Sequence, residues 1–199
     1  MTTKSRTNDP DGVRRRILDA AASLFQGRGY NSATIHDIVE ASGVTSGGLH
    51  HHFPSKKAIG LAVLRERVGP EVEATWLVPL AGAKSAAAGL DQVFRSIERG
   101  LDERQAVQGC PLNNLALELS LADPDFRQEI ERLFARWRSG ILAKLSSDKR
   151  GGRLEDRDPG RLATLVLAAY SGAMAMAKAE QSTRPLKACR RELLRQLKD

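Results

Sequence analysis

The segment at residues 34–56, TIHDIVEASGVTSGGLHHHFPSK, constrains the fold of this chain more than any other part of it. Thr34, followed three residues later by Asp37, predicts the capped start of one helix, and Thr45 predicts the capped start of a second. Between them, Gly43 supplies the left-handed backbone that a tight turn requires. A helix, a three-residue turn and a second helix form a helix-turn-helix motif, whose second helix enters the major groove of DNA.

The residues around this motif predict how it packs and what it exposes. Val44 and Leu49 are expected to pack inward, beneath the second helix. The residues left facing outward are then Thr45, Ser46, Gly47, Gly48, His50 and His51. An amphipathic helix over 13–26 precedes the motif, another begins after Ser55 and continues to about residue 64, and the polar residues 1–12 are predicted to be a disordered arm.

After residue 68 the chain changes to longer helical patterns, roughly over 90–106, 112–121, 124–145, 160–180 and 186–198, with a polar loop over 146–160. Alternating strand patterns are scarce. We therefore predict an all-α fold, with an N-terminal three-helix helix-turn-helix domain over 13–68 and a larger C-terminal helical domain over 69–199. The composition, 41% hydrophobic and 28% charged, is that of a soluble globular protein, and the net charge of +7 favours a polyanionic partner.

Three features bear on location and on membranes. The two cysteines, Cys110 and Cys189, predict no disulfide framework and a cytoplasmic protein. The first dozen residues contain no apolar segment of the kind found in a signal peptide. The most apolar stretch, 162–177, is shorter than the roughly 20 residues that span a bilayer, so we expect a buried helix and no membrane partner.

The region from Arg14 to Leu64 resembles the TetR family of bacterial regulators. The matching residues are ILDAAASLFQGRGY at 17–30, T-I-x-D-I-V-E-A-S-G-V at 34–44 and G-x-L-H-H-H-F-P-S-K at 47–56, in the order and spacing of the family. The resemblance implies a homodimer that binds a double-stranded DNA operator. It also implies a C-terminal domain that binds an effector and forms the dimer.

The resemblance carries over to individual positions of the motif. Thr34 and Lys56 match positions that hold DNA phosphates, a chemistry suited to a helix N-terminus and a cation. His50 stands where a tyrosine is usual, Ser46 where lysine is frequent, and Gly48 where a small or hydroxyl side chain is usual. The predicted DNA-binding residues are Arg14, Arg15, Thr34, Thr45, Ser46, Gly47, Gly48, His50, His51 and Lys56.

Two of these assignments have alternatives. The basic run at 14–16 fits contact with phosphates or with a minor groove, but it also fits a solvated helix face. Gly47 and Gly48 destabilise a helix by about 1 kcal/mol each relative to alanine, which fits a reading helix that DNA orders. The pair fits equally well a helix that approaches the sugar-phosphate backbone closely.

The segment GCPLNNLALELSLADPDF at 109–126 resembles a TetR subgroup in which a Gly-Cys step precedes an apolar helix carrying a glutamate. Some members respond to electrophiles through that cysteine, so the resemblance implies a small-molecule or electrophile effector. Cys110 precedes Pro111 at a helix start, where the helix dipole is expected to lower the thiol pKa; the alternative is a small buried hydrophobe.

Polar groups of an effector pocket are predicted at Asn113, Asn114 and Glu118. Its candidate walls, for each of which simple core packing is the alternative, are Phe94, Ile97, Leu101, Leu117, Phe134, Trp137 and Tyr170.

The small residues of helix 160–180 let a second helix approach closely, which favours a dimer interface formed with the final helix; packing within one chain is the alternative. The basic residues of the final helix are expected to lie largely on a solvated face; they are Lys187, Arg190, Arg191, Arg195 and Lys198.

Catalytic, metal and cofactor sites are not predicted. The adjacent histidines at 50–52 point about 100° apart on a helix and cannot converge on one ion. The chain lacks G-x-S-x-G, H-E-x-x-H, P-loop and G-x-G-x-x-G motifs, and Cys110 has no nearby histidine in the sequence, so we expect no enzyme. The alternative to an effector-released regulator is a constitutive architectural DNA-binding protein without an effector.

Overall fold

The computed structural model describes residues 9–104, 106–154 and 157–197. Within these ranges the chain forms helices and no strand, which confirms the all-α prediction. The helices are α1 Pro10–Arg28, α2 Ile35–Ser42, α3 Ser46–His52, α4 over 56–82, α5 Ala86–Asp102, α6 Pro111–Leu119, α7 Pro124–Arg150, α8 Pro159–Glu180 and α9 Arg184–Gln196.

Short-range caps set the ends of the first helices. Thr34 and Asp37 form the predicted reciprocal capping box, and Gly43 ends α2 in the left-handed conformation at φ 63°. The predicted disordered arm at 1–12 is wrong for residues 10–12, because the Asp9 carboxylate accepts a hydrogen bond from the Gly12 amide at 2.9 Å and caps a helix that begins at Pro10. Residues 1–8 of that arm lie outside the described residues.

Helix α4 is longer than predicted and contains two π turns. It comprises Lys56–Val63, the π turn Leu64–Val68, Gly69–Val72, the π turn Glu73–Leu77 and Val78–Gly82. Each π turn ends two residues before a proline, at positions 70 and 79, whose nitrogen donates no hydrogen bond. The chain therefore passes the predicted domain boundary at 68/69 inside a continuous helical run.

The C-terminal domain packs around four aromatic rings in edge-to-face contact. Trp76 lies 4.7 Å from Tyr170 and 5.0 Å from Trp137 between ring centroids, and Phe94 contacts both Trp76 and Tyr170. Helix α5 begins at Ala86 and α7 continues to Arg150, so both differ from the predicted bounds of 90–106 and 124–145. The predicted loop at 146–160 is correspondingly shorter.

The last two helices correct two expectations. Helix α8, at 22 residues, is the one helix of the described ranges that is long and apolar enough to cross a bilayer, against the expectation that its apolar stretch at 162–177 is too short. Core helices pass the same test, and one side of α8 is buried against α7 and α9. Arg190 is not on a solvated face: it is 13% exposed and its guanidinium contacts Glu98 at 2.9 Å and Asp91 at 2.6 Å.

Candidate DNA-reading surface and ligand cavity

Helix α3 presents the predicted reading surface. Leu49 is fully buried beneath it and Val44 is half-buried, as expected, while Ser46, Gly47, His50 and His51 are exposed. A Cβ atom on Gly47 would meet nothing within 4 Å, so packing inside the protein does not require glycine there. A Cβ on Gly48 would lie 3.1 Å from the Thr45 hydroxyl oxygen, which accepts a hydrogen bond from the Gly48 amide.

Besides Thr45, three of the predicted DNA-binding side chains make contacts within the protein. The Thr34 hydroxyl donates to Asp37 at 2.7 Å and accepts from the Asp37 amide at 3.1 Å. Arg14 pairs with Glu66 on α4, which raises the arginine pKa through the hydrogen bond, and its guanidinium lies 5.0 Å from the Phe53 ring centroid. Arg15 is exposed.

Lys56 lies where the reading head, our name for the helix-turn-helix domain at 13–68, meets the C-terminal domain. Its Nζ donates to the Asn31 carbonyl at 3.2 Å and lies 4.5 Å from the Tyr30 ring centroid, and partial burial lowers its pKa. The DNA-contact roles of Thr34, Arg14 and Lys56 stay predictions, each of which requires an intramolecular contact to be shared or released.

A cavity of about 460 Å³ lies between α6, α7 and α8. Four of the predicted effector residues line it, Cys110, Asn113, Asn114 and Leu117, together with the candidate wall residue Phe134. Ser171 donates to the Asn113 amide oxygen at 3.3 Å, and Lys178 donates to the Asn114 amide oxygen at 3.4 Å. The cavity volume suits a small organic molecule. Its polar groups are few and lie close together, which is typical of small-molecule binding sites.

A second and smaller cavity, of about 40 Å³, lies between α4, α6, α7 and α8. Trp137 and Tyr170, both predicted pocket residues, line it together with Trp76 and Cys110. Cys110 also lines the larger cavity, so this one side chain borders both.

The expected lowering of the Cys110 pKa is wrong. Burial raises the pKa of this thiol to about 11, although the backbone amides of Leu112 and Asn113 at the start of α6 act in the opposite direction. Desolvation of a thiolate outweighs the helix N-terminus because the side chain is buried inside the protein. Near neutral pH Cys110 is therefore a protonated thiol.

Four predicted effector-pocket residues lie elsewhere, and one of them, Leu101, is buried in the core and lines neither cavity. Phe94 is buried in the aromatic core and Ile97 packs against that core, and neither lines either cavity. Glu118 projects away from the cavity toward the reading head, because α6 turns its polar side to α1. Its carboxylate accepts hydrogen bonds from the backbone amides of Tyr30 at 2.8 Å and Asn31 at 2.6 Å.

A second contact joins the same two parts of the molecule. The Gln26 side chain of α1 donates to the Gly109 carbonyl at 2.7 Å and accepts from the Asn114 amide at 3.3 Å. Asn114 thus lines the cavity and contacts the reading head at once. Gly29 leaves room for the Glu118 carboxylate, because a Cβ at this position would lie 3.2 Å from a Glu118 oxygen. Its φ of +86° is also a backbone conformation that favours glycine.

Sequence reasoning missed the residues that join the two parts. Gln26 and Tyr30 lie in the first helix and the turn after it, about 85 residues before their partners on α6, and no local spacing connects them. Ser171 is one of the small residues on the helix predicted to form the dimer, and no local pattern gives Lys178 a role.

Known families and proteins match both parts of the chain. Residues 86–192 match a family described as transcriptional regulator LmrA/YxaF-like, C-terminal domain, and residues 17–63 match the bacterial regulatory proteins of the tetR family. The HTH-type transcriptional repressor DhaR of Mycobacterium sp. strain GP1 is 30% identical over 176 residues, covering 87% of this chain and 86% of DhaR. LmrA of Bacillus subtilis is 26% identical, covering 87% of this chain and 90% of LmrA.

A solved structure shares the whole architecture. A TetR transcriptional regulator from Chloroflexus aurantiacus superposes with a TM-score of 0.83 at 28% identity, covering 94% of each chain. The described fold, the helix-turn-helix and both family matches agree. This chain therefore belongs to the TetR family of bacterial transcriptional regulators.

Proposed function

We propose that this protein is a repressor that binds a pseudopalindromic DNA operator as a dimer and is released when a small molecule occupies the 460 Å³ cavity. The observation that carries the proposal is the contact between the two parts. The cavity helix α6 holds the α1–α2 turn of the reading head through Glu118, and the cavity residue Asn114 contacts α1 through Gln26.

The DNA-binding half of the proposal uses the exposed side of α3. Ser46, Gly47, His50 and His51 would face base edges, while the backbone amides at the α2 N-terminus, Arg15 and Lys56 would hold phosphates. Cytoplasmic location and the absence of catalysis belong to the same proposal. The name of the relative DhaR, a transcriptional repressor, supports repression over activation.

The release half works through a difference in affinity. A ligand that fits the cavity better in one position of α6 shifts the population toward that position. Because Glu118 ties α6 to the amides of Tyr30 and Asn31, that shift moves the turn on which α2 begins. Two heads whose separation departs from the 34–36 Å of one DNA turn no longer enter successive major grooves.

For the effector we propose reversible binding, not capture by a thiolate. With a pKa of about 11, Cys110 has little thiolate near neutral pH, so an electrophile would react slowly there.

Alkylation by iodoacetamide is expected to modify the half-buried Cys189 before Cys110, with Cys110→Ser as the control that assigns the product masses. Faster modification of Cys110, with loss of DNA binding that Cys110→Ser prevents, would restore the electrophile sensor.

The dimer is proposed through α8 and α9. Leu165 and Met176 are exposed on α8, and the exposed small residues between and beyond them are Ala168, Gly172, Ala175 and Ala179.

A Cβ on Gly172 meets nothing within 4 Å in one protomer, so Gly172→Arg disturbs only an interface. Light scattering should give twice the 21.7 kDa chain mass for the wild type and for Gly100→Arg on α5, and the single mass for Gly172→Arg. A dimer that survives Gly172→Arg would place the interface elsewhere.

The first test is binding of the purified protein to the DNA upstream of its own coding sequence, at two salt concentrations, with a scrambled duplex as the control. Specific binding that weakens steeply with salt is expected. Equal binding to both duplexes would favour the architectural alternative, and no binding even at low salt would overturn the proposal.

A further inference from the structure

The residues that line the 460 Å³ cavity include one charged side chain. Among the described residues around it, that side chain is Lys178, and no aspartate or glutamate lines the cavity. Cys110, whose pKa burial raises to about 11, is uncharged near neutral pH. The remaining lining residues are apolar, hydroxyl or amide groups. The cavity therefore combines a neutral and largely apolar wall with one exposed cation.

Lys178 is held in place without a counter-ion. None of the ion pairs among the described residues includes it, and the nearby Glu180 pairs with Arg184 at 2.9 Å. The Lys178 ammonium donates instead to the neutral amide oxygen of Asn114. Its stem packs against Gly109, since a Cβ on that glycine would lie 3.1 Å from the Lys178 Cδ. The ammonium is thus kept beside a residue that lines the cavity.

This ammonium lies where the cavity meets a surface groove of about 470 Å³. The cavity and the groove share three lining residues, Asn114, Leu117 and Lys178, and the groove continues along the end of α1. A ligand whose body occupies the cavity can therefore place a terminal group beside Lys178.

The other charges of the groove are already compensated. The Glu118 carboxylate accepts hydrogen bonds from two backbone amides of the reading head. Burial lowers the pKa of Lys56, and the nearby Glu118 carboxylate opposes that shift. Arg28 lies 3.8 Å from Asp37. Among the described residues that line the groove, Lys178 is the charge left without an opposite charge.

Asn114 connects this cation to the reading head. Its side-chain nitrogen donates to the Gln108 carbonyl at 2.9 Å and to the Gln26 side chain of α1 at 3.3 Å. These two bonds leave the amide oxygen to face Lys178. A carboxylate is a stronger partner for an ammonium than a neutral amide oxygen. An anion at Lys178 therefore competes with a side chain that also contacts α1.

We propose that Lys178 binds the anionic group of the effector, and that the effector is a small amphipathic monoanion such as a carboxylate with an apolar body. The apolar body occupies the 460 Å³ cavity, and the carboxylate replaces the Asn114 amide oxygen at the ammonium. This inference rests on the proposed effector site and names the chemical class that the site takes.

Two probes of nearly the same shape test the charge. 4-Phenylbutyrate and 4-phenylbutanamide differ in that one ends in a carboxylate and the other in a neutral amide. Calorimetric titration should show the carboxylate binding about fivefold more tightly, a modest preference because Lys178 is exposed. Added salt should bring the ratio of affinities toward one. Equal affinities at low salt, a ratio that does not change with salt, or no binding of either probe would overturn the proposal.

Variants assign the preference to one side chain. In Lys178→Gln the ratio should fall to about one, and Lys178→Arg, which restores the charge, should recover it. Lys84→Gln is the matched control, because Lys84 is also exposed and lines neither the cavity nor the groove. A preference that survives in Lys178→Gln, or that Lys84→Gln removes equally, would refute the assignment. Should Lys178→Gln fail to fold, the salt dependence of the wild type decides.

DNA binding separates this inference from the proposed function. Operator binding by the ligand-free wild type is measured without either probe, so its failure would count against the repressor and not against the anion site. Conversely, if both probes bind equally well and both release the operator, the effector site stands and the assignment of an anionic ligand falls.

Discussion

The reading head and the C-terminal domain differ in how far apart along the chain their contacting residues lie. In the head, Thr34, Thr45 and Ser55 each cap a helix by accepting from the amide three residues later. In the C-terminal domain, the contacts around Trp76 reach Trp137 and Tyr170, which lie 61 and 94 positions further on. The helix ends of the head are thus set by local interactions, and the cavity exists only once distant helices have assembled.

This difference predicts where stability resides. Loss of a long-range contact in the larger domain should unfold it as a unit, because its helices have few alternative supports. Loss of a local interaction in the head should lower the stability of one short helix. Its main measurable consequence should be a change in DNA affinity.

Arg190→Ala should produce the largest effect. It leaves Glu98, only 6% exposed, without its guanidinium partner, and removing one member of a buried pair costs about 3 kcal/mol or more of unfolding free energy. Urea unfolding measures this cost, with Arg191→Ala at the neighbouring exposed position as the control. If the two variants are equally stable, the α9–α5 ion pair does not support the domain.

Glu118→Ala tests the junction between the two regions. It removes two hydrogen bonds to a charged acceptor, worth about 2 kcal/mol together at this partly exposed position. Hydrogen exchange at the amides of Tyr30 and Asn31 should accelerate, and Glu118→Gln, which keeps one acceptor oxygen, should recover part of the protection. Unchanged exchange in Glu118→Ala would show that the regions are joined by other contacts.

Gly47→Ala separates the two interpretations of the glycine pair. Because the added Cβ meets nothing within 4 Å, the reading helix should gain up to about 1 kcal/mol of stability. DNA affinity should nevertheless fall if this position approaches the sugar-phosphate backbone, and should rise if the glycines serve only to keep α3 loose. A thermal melt together with a DNA titration records both quantities.

Lys56→Ala should have the smallest effect. Replacing a phosphate-binding lysine weakens binding about equally on all sequences and lowers the slope of log K against log salt by about 1. In the free protein the lysine also holds the Asn31 carbonyl, so a small loss of head stability should accompany the change. A slope that stays the same would remove Lys56 from the phosphate contacts.

The same difference in distance explains what the sequence could predict. The capping box at Thr34, the left-handed Gly43 and buried Leu49 all follow from residues a few positions apart, and the structure confirms them. The positions of Glu118 and Arg190 did not follow, because their partners lie about 90 residues away. Cys110 shows a third limit: its place before a helix was predictable, but its burial, which decides the sign of the pKa shift, was not.

Helix α4 also gives the molecule a lever arm. Trp76, which lines the 40 Å³ cavity, and Lys56, at the edge of the reading head, lie on one helical run. Their separation is about 30 Å at 1.5 Å per residue, so a tilt of about 5° at the cavity end displaces the other end by about 2.6 Å. A small change in the tilt of α4 at the cavity end would therefore displace the reading head by an amount that matters against the fixed pitch of DNA.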